Sequence, residues 1–256
     1  MRIKVIFLIF ILTLTQQTCF GLDSGATGQA DALFLNGDYS EAASKYEKAL
    51  DEKKIKSEVK HNAEYKMALC YLKLGRAQEA NDLLAMLLSK DLSDNLKPDV
   101  KMAYADSLVM LDKLNEAAAG YEDILKHYPA AGIASTVNFK LAELARKAGQ
   151  WEKAKALYRG VAIQYLQSFE AGLAQDILIN GDFFFSVQVG SYTKRENAQQ
   201  LVDELKQKGY DAHIKEYKAD SLKYYRVRVG RCEKKEEALE LESRLKQEEL
   251  PTKIFP

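Results

Sequence analysis

Two stretches of the sequence place residues suited to gripping a ligand at every second position. In FFFSVQVGSY, Phe184, Ser186 and Gln188 share one parity, and Phe183, Phe185, Val187 and Val189 share the other. In YYRVRVG, Tyr224, Arg226 and Arg228 alternate with Tyr225, Val227 and Val229. Alternation of period two makes strands with one buried apolar face and a second face of different chemistry. The second face is expected to carry Ser186, Gln188, Tyr224, Arg226 and Arg228, with Ser191 and Tyr192 at the end of the first strand. Aromatic rings offer flat apolar surface, while amides and guanidinium groups offer directional hydrogen bonds. Such a face suits an extended polar ligand, sugar or base. On chemistry alone, Arg226 and Arg228 read equally well as solvated residues of an antiparallel sheet.

Other chemistry is sparse. His61, His127 and His213 have no ligand spacing, and no CxxC or HxxxH occurs, so neither a metal nor a cofactor is expected. Glu236 and Glu240 stand at i,i+4 on a helix face and read as solvated charge. Without a nucleophile elbow or a Cys/His pairing, the chain does not read as an enzyme. Cys70, in ALCYLKLG, and Cys232 are expected to be single thiols.

The two stretches belong to a duplication. Val187, Val189, Gly190, Ala198, Leu201, Leu205 and Ile214 recur 40 residues later as Val227, Val229, Gly230, Ala238, Leu241, Leu245 and Ile254. After the first strand, Thr193 and Glu196 have capping-box spacing. Ala198, Leu201, Val202 and Leu205 form an apolar stripe, and Gly209 ends the helix. The second helix stops before Pro251 and lacks a Ser or Thr cap. Short strands follow near Ala212–Tyr217 and Thr252–Phe255. The order is βαββαβ, an α+β ferredoxin-like arrangement: a four-stranded antiparallel sheet, both helices on one face, the two V-x-V-G strands as central neighbours.

A longer periodicity precedes it. Ala42, Ala80, Ala117 and Ala154 align at spacings of 38, 37 and 37 residues. Four residues beyond each stands Tyr46, Leu84, Tyr121 or Tyr158; twelve before each stands Ala30, Ala68, Ala105 or Ala142. Small residues let helix axes approach, and a large residue one turn on fills the gap beside them. Gly37, Gly75 and Gly149 fall where the first helix of each pair ends, with Asp112 in that place in the third repeat. Stacked hairpins of this kind build an all-α solenoid with a concave surface. Tyr46, Tyr121, Tyr158 and Trp151 are expected to pack between helices. Ala162 to Asn180 reads as a terminal helix, and Asn180-Gly181-Asp182 as the domain boundary.

The chain has 256 residues and a formal net charge of zero, which argues against a global pull toward nucleic acid or anionic lipid. Its start departs from the globular composition. Arg2 and Lys4 precede the apolar run Val5 to Leu14, and Cys19 and Gly21 stand at −3 and −1 of a cut before Leu22. This is the layout of a signal peptide over residues 1–21, too short for an ordinary transmembrane span. Retention or lipidation at Cys19 would make it an anchor; a membrane is a partner only in that case.

Two resemblances bear on function. The small residue, turn glycine and A-x3-Y/L pattern resembles the tetratricopeptide repeat, over residues 22–180. That likeness implies a protein partner on the concave face, as in bacterial envelope proteins. V-Q-V-G-S-Y, A-x2-L-x3-L, K-G-Y and Y-R-V-R-V-G, occurring in that order, are similar to the SPOR domain, over residues 182–256. That likeness implies binding to peptidoglycan, with preference for glycan strands stripped of stem peptides at septa. It maps the family's ligand-facing positions onto Gln188, Ser191, Tyr192, Tyr224, Arg226 and Arg228. Arg231 and Cys232 depart from the Pro and aromatic usual after the second glycine. The expected protein is exported to the periplasm or cell envelope, non-catalytic, and placed in cell division or envelope assembly. The alternative is a general envelope scaffold, with the SPOR-like domain only a weak localiser. An RNA-binding reading of the same βαββαβ order fails because the aromatic-rich RNP1 string is absent, so no nucleic acid partner is expected.

Overall fold

A computed structural model describes residues 27–51, 55–129, 132–219 and 222–256. The expected signal peptide and Cys19 lie outside the described residues. Contacts divide the chain into two compact units, one ending at Ala134 and the other spanning Ser135–Pro256.

In the first unit, α1 (Gly28–Asn36), α2 (Tyr39–Leu50), α3 (Ser57–Lys73), α4 (Ala77–Leu88), α5 (Lys97–Met110) and α6 (Leu114–His127) each pack on the next in the chain. The aligned alanines are the contact points: Ala30, Ala42, Ala68, Ala80, Ala105 and Ala117 are all fully buried. Gly37 and Gly75 take left-handed φ angles of 86° and 76° at the hairpin turns, and Asp112 takes 59° in the corresponding place. A β-carbon is strained there, so the third turn is the least ideal.

The repeats carry a feature that the apolar pattern did not show. The buried hydroxyl of Tyr46 donates to Asp31, and that of Tyr121 to Asp106, in each case from the second helix of a hairpin to the first across 15 residues. Tyr158 donates to Glu143 at the same separation. A buried phenol needs an acceptor, and a carboxylate is the strongest available. Burial and the facing carboxylate push all three phenols well above their ordinary range. In the second repeat Leu84 replaces the tyrosine, and the residue 15 before it is Leu69, so both polar partners are missing together.

The second unit begins with α7 (Ala134–Lys147), α8 (Trp151–Gln164) and α9 (Phe169–Asn180), packed around Ala142, Ala154, Tyr158 and Ala174. There follow β1 (Phe185–Tyr192), α10 (Arg195–Gln207), β2 (Ala212–Ala219), β3 (Leu222–Cys232), α11 (Lys235–Gln247) and β4 (Lys253–Phe255). Sheet order is β2-β3-β1-β4, all antiparallel, with the V-x-V-G strands in the centre as expected. Val187, Val189, Val227 and Val229 face Ala198, Val202, Leu205, Leu241 and Leu245 of the two helices.

Two local expectations change. Residue Lys194, not Thr193, is the N-cap of α10, and no side chain caps that helix. The second copy makes the reach-back instead: Glu237 accepts from the backbone N–H of Glu233 and, at the limit of range, of Lys234. Only this carboxylate half of a capping box can form, because a lysine ammonium has no acceptor to offer. Trp151 reaches beyond the repeats. Its ring meets Phe185 of β1 edge-on at 4.8 Å, and its indole N–H donates to the Glu233 carbonyl at 3.0 Å. Phe185 is buried where it meets Trp151 of α8, and Phe183 packs beside Tyr158.

Candidate functional site

The sheet face away from α10 and α11 is laid out by strand register. Antiparallel partners on one face stand side by side, so register alone builds rows. One row runs His213, Arg228, Gln188 and Lys253 across β2, β3, β1 and β4. The next runs Lys215, Arg226 and Ser191, and a third pairs Tyr217 with Tyr224. At the other end Ser186 stands beside Phe255. The sequence-derived residues Gln188, Ser191, Tyr224, Arg226 and Arg228 are therefore brought together. Residues His213, Lys215, Tyr217, Lys253 and Phe255 join them from β2 and β4, whose polar positions the sequence reading did not single out. The alternation of Ala212 and Ile214 with His213, Lys215 and Tyr217 was the signal that could have placed them.

Tyr192 is placed on the opposite side. A bulge in β1 lies between Gln188 and Gly190: Gln188 pairs with Arg228 and Gly190 with Val227, leaving Val189 without a partner. One extra residue reverses the parity beyond it. Ser191 thus aligns with Arg226, and Tyr192 with Tyr225. A β-carbon on Gly190 would lie 2.8 Å from the Tyr192 ring and 3.3 Å from Leu201, so the ring sits over the glycine toward α10. Both Tyr192 and Tyr225 pack against the helix-side core. The second copy repeats the device. The register also shifts between Phe185 and Val187, where Gly230 has φ 80°, and a β-carbon there would meet Leu241 at 2.4 Å and Cys232 at 3.5 Å. Cys232 occupies the place in its copy that Tyr192 has in the first.

The face is also less open than alternation suggests. Ser186 is fully buried and Arg228 is 7% exposed. Asp182, just after α9, holds Arg228 at 2.9 Å through one carboxylate oxygen and Lys215 at 2.9 Å through the other. Lys215 also donates to the Asn180 carbonyl. The Arg228 guanidinium lies 4.5 Å from the centre of the Phe255 ring. Burial weakens the hold of Arg228 on its proton, opposed by Asp182. Burial, with Arg231 nearby, likewise keeps His213 below its ordinary value. In this buried half, Ser186 Oγ, Gln188 Oε1, His213 Nδ1 and Arg228 Nε make no hydrogen bond within the protein.

The other half, around Ser191, Tyr224 and Arg226, stays accessible, Ser191 being exposed and the other two half-buried. The Arg226 guanidinium stacks on Tyr217 at 3.6 Å. Its plane is then fixed while its edge N–H groups remain available, the arrangement that suits bidentate contact with a planar or ring-borne acceptor.

Among the described residues no group of His, Cys, Asp and Glu could hold a metal ion, and no helix is long and apolar enough to cross a membrane. Among the described residues Cys70 and Cys232 are free thiols, and burial pushes the Cys70 thiol up to about 11.

Comparison with known proteins agrees with this architecture. Residues 181–252 match the SPOR domain, and residues 62–91 and 137–168 match the tetratricopeptide repeat. No curated protein matches the chain. Among solved structures, it is similar to the Rap conjugation gene regulator of the plasmid pLS20 in complex with the Phr* peptide, with TM-score 0.50 and 17% identity over 60% of this chain. The chain spans 46% of that regulator's length. A Podosopora anserina structure with nearly identical TPR-like repeats matches with TM-score 0.50 and 20% identity, over 73% of this chain and 92% of that one. At these identities the likeness shows the fold alone. SPOR domains bind peptidoglycan and tetratricopeptide repeats bind protein partners, and both are non-catalytic binding domains. The chain is a tetratricopeptide-repeat array followed by a SPOR domain.

Proposed function

We propose that this is an exported bacterial envelope protein without catalytic activity that binds glycan strands of peptidoglycan, those stripped of stem peptides at septa, through residues 182–256. The array over residues 22–180 recruits a protein partner through its concave face, in cell division or envelope assembly. The observation that carries the reading is the accessible end of the sheet face, within the segment that matches SPOR. There an exposed hydroxyl (Ser191), two phenol rings (Tyr217 and Tyr224) and a stacked guanidinium (Arg226) stand in adjoining rows. Sugar rings stack their apolar faces on aromatics and offer hydroxyls to such donors and acceptors.

Of the binding residues, Ser191, Tyr224 and Arg226 are proposed as direct contacts. Gln188 and Arg228 border them from the buried row, and Tyr192 acts by filling the space behind Gly190. A full-length protein incubated with amidase-treated sacculi tests the reading. Retention on denuded sacculi, lost in the Tyr224→Ala/Arg226→Ala double variant, is the expected result. Equal retention of the double variant would refute the site. Point variants are preferable to deletion of residues 182–256, which would strip Phe185 from Trp151.

A further inference from the structure

The zero net charge of the chain hides a segregated distribution on the sheet. Four cationic side chains, Lys215, Arg226, Arg228 and Lys253, stand in two adjoining rows of the ligand face. Asp182 binds two of them, Arg228 and Lys215, and does not reach Arg226. Other ion pairs of the sheet domain, such as Lys223 with Glu216 and Lys208 with Glu248, do not involve Arg226. Among the described residues no carboxylate lies within ion-pair distance of Arg226, which is held by Tyr217 alone. Asp182 thus bridges the two rows through Arg228 and Lys215, while Arg226, beside Lys215, presents a preoriented guanidinium next to an exposed serine hydroxyl.

We infer that Arg226 and Ser191 bind a carboxylate carried by the glycan itself, so that the protein recognises an anionic strand and not a neutral one. This rests on the peptidoglycan reading and deepens it. Removal of a stem peptide from a muramic acid residue frees its lactyl carboxylate, which an intact peptide amide would otherwise mask. A guanidinium edge pairs with two carboxylate oxygens where an amide offers only one neutral acceptor. Recognition of the stripped state then has a chemical cause, a negative charge at each bare sugar, rather than only the removal of steric bulk. Asp182, held by Arg228, shows the same donor chemistry satisfied within the protein.

The test uses the full chain and three probes: amidase-stripped glycan strands, the same strands with their carboxylates converted to methylamides, and neutral chitin oligosaccharides. The stripped strands should bind best, with affinity that falls as salt is raised. The methylamide strands should bind roughly tenfold or more weakly, the scale of one lost charge-assisted contact. Arg226→Gln should bring stripped strands down to about the level that the wild-type protein shows for methylamide strands, while Arg226→Lys recovers part of the difference. An unchanged melting temperature in both variants separates this from misfolding. If wild-type protein binds stripped and methylamide strands equally, the carboxylate inference fails and the glycan reading stands. If none of the three probes binds, both fail.

Discussion

The two faces of the sheet obey different rules. On the helix side every position is settled by packing: four valines meet the stripes of α10 and α11, and Gly190 and Gly230 open space for Leu201 and Leu241. On the other side four polar atoms lack protein partners, one guanidinium is buried against a single carboxylate, and another stacks on a ring. Buried polar groups left unmatched within the protein are costly unless water or another group meets them, so packing alone does not settle this face. The comparison separates residues that make the domain from residues that use it.

The largest effects should come from disturbing the first face and the buried end of the second. Leu245 is fully buried between α11 and the sheet, and Leu245→Ala should cost about 3 kcal/mol of unfolding free energy. Trp151, the single tryptophan, touches Phe185, so its fluorescence should report loss of the sheet and of α8 in one transition. Separate transitions would break the view that α7 to α9 and the sheet form one unit. Asp182→Ala should cost about 3 kcal/mol in urea denaturation, because it leaves Arg228 buried and unpaired. If Asp182→Ala were neutral, water would have to reach Arg228 and the buried half of the face would be open.

Smaller effects sharpen the difference between the copies. Gly230→Ala should cost about 2 kcal/mol, from its left-handed φ and the clash with Leu241. Gly190→Ala, where φ is not left-handed and the obstacle is the Tyr192 ring, should cost about half as much. His213 adds a pH dependence. Its folded-state value is depressed by burial, so the unfolded chain binds the proton more readily. Stability from this group is present above the ordinary value of 6.5 and is lost as pH falls below it. His213→Gln should flatten the melting temperature between pH 7 and pH 5 relative to wild type; an unchanged slope would show the imidazole to be hydrated. The smallest effect is at Glu249, which has φ 59° where the first copy has Gly209. Glu249→Gly should stabilise by about 0.5 kcal/mol, read as a small rise in melting temperature.

Periodicity made the architecture legible. The alanine register of the repeats and the central pairing of the V-x-V-G strands follow from spacing alone, because small residues at helix crossings and alternating valines have few other uses. What it could not show came from long-range events. A bulge is invisible in VQVGSY, yet it turns Tyr192 toward α10 and leaves Ser191 on the ligand face. The burial of Arg228 depends on Asp182, 46 residues away and outside the alternating pattern. Trp151 read as a repeat residue because its partners, Phe185 and Glu233, lie 34 and 82 residues further on. The tyrosine–carboxylate pairs of the array were legible in principle, since Asp31, Asp106 and Glu143 all stand 15 residues before a tyrosine.

The central claim is that the accessible sheet face, and not the helix side or the array, binds the glycan. Calorimetric titration of full-length protein with amidase-stripped glycan strands, in wild type and in Tyr224→Ala/Arg226→Ala, tests it most directly. The account predicts at least roughly a hundredfold loss of affinity in the double variant, two contacts of about 1.4 kcal/mol each, with its melting temperature nearly unchanged. Undiminished affinity in a folded double variant would contradict it.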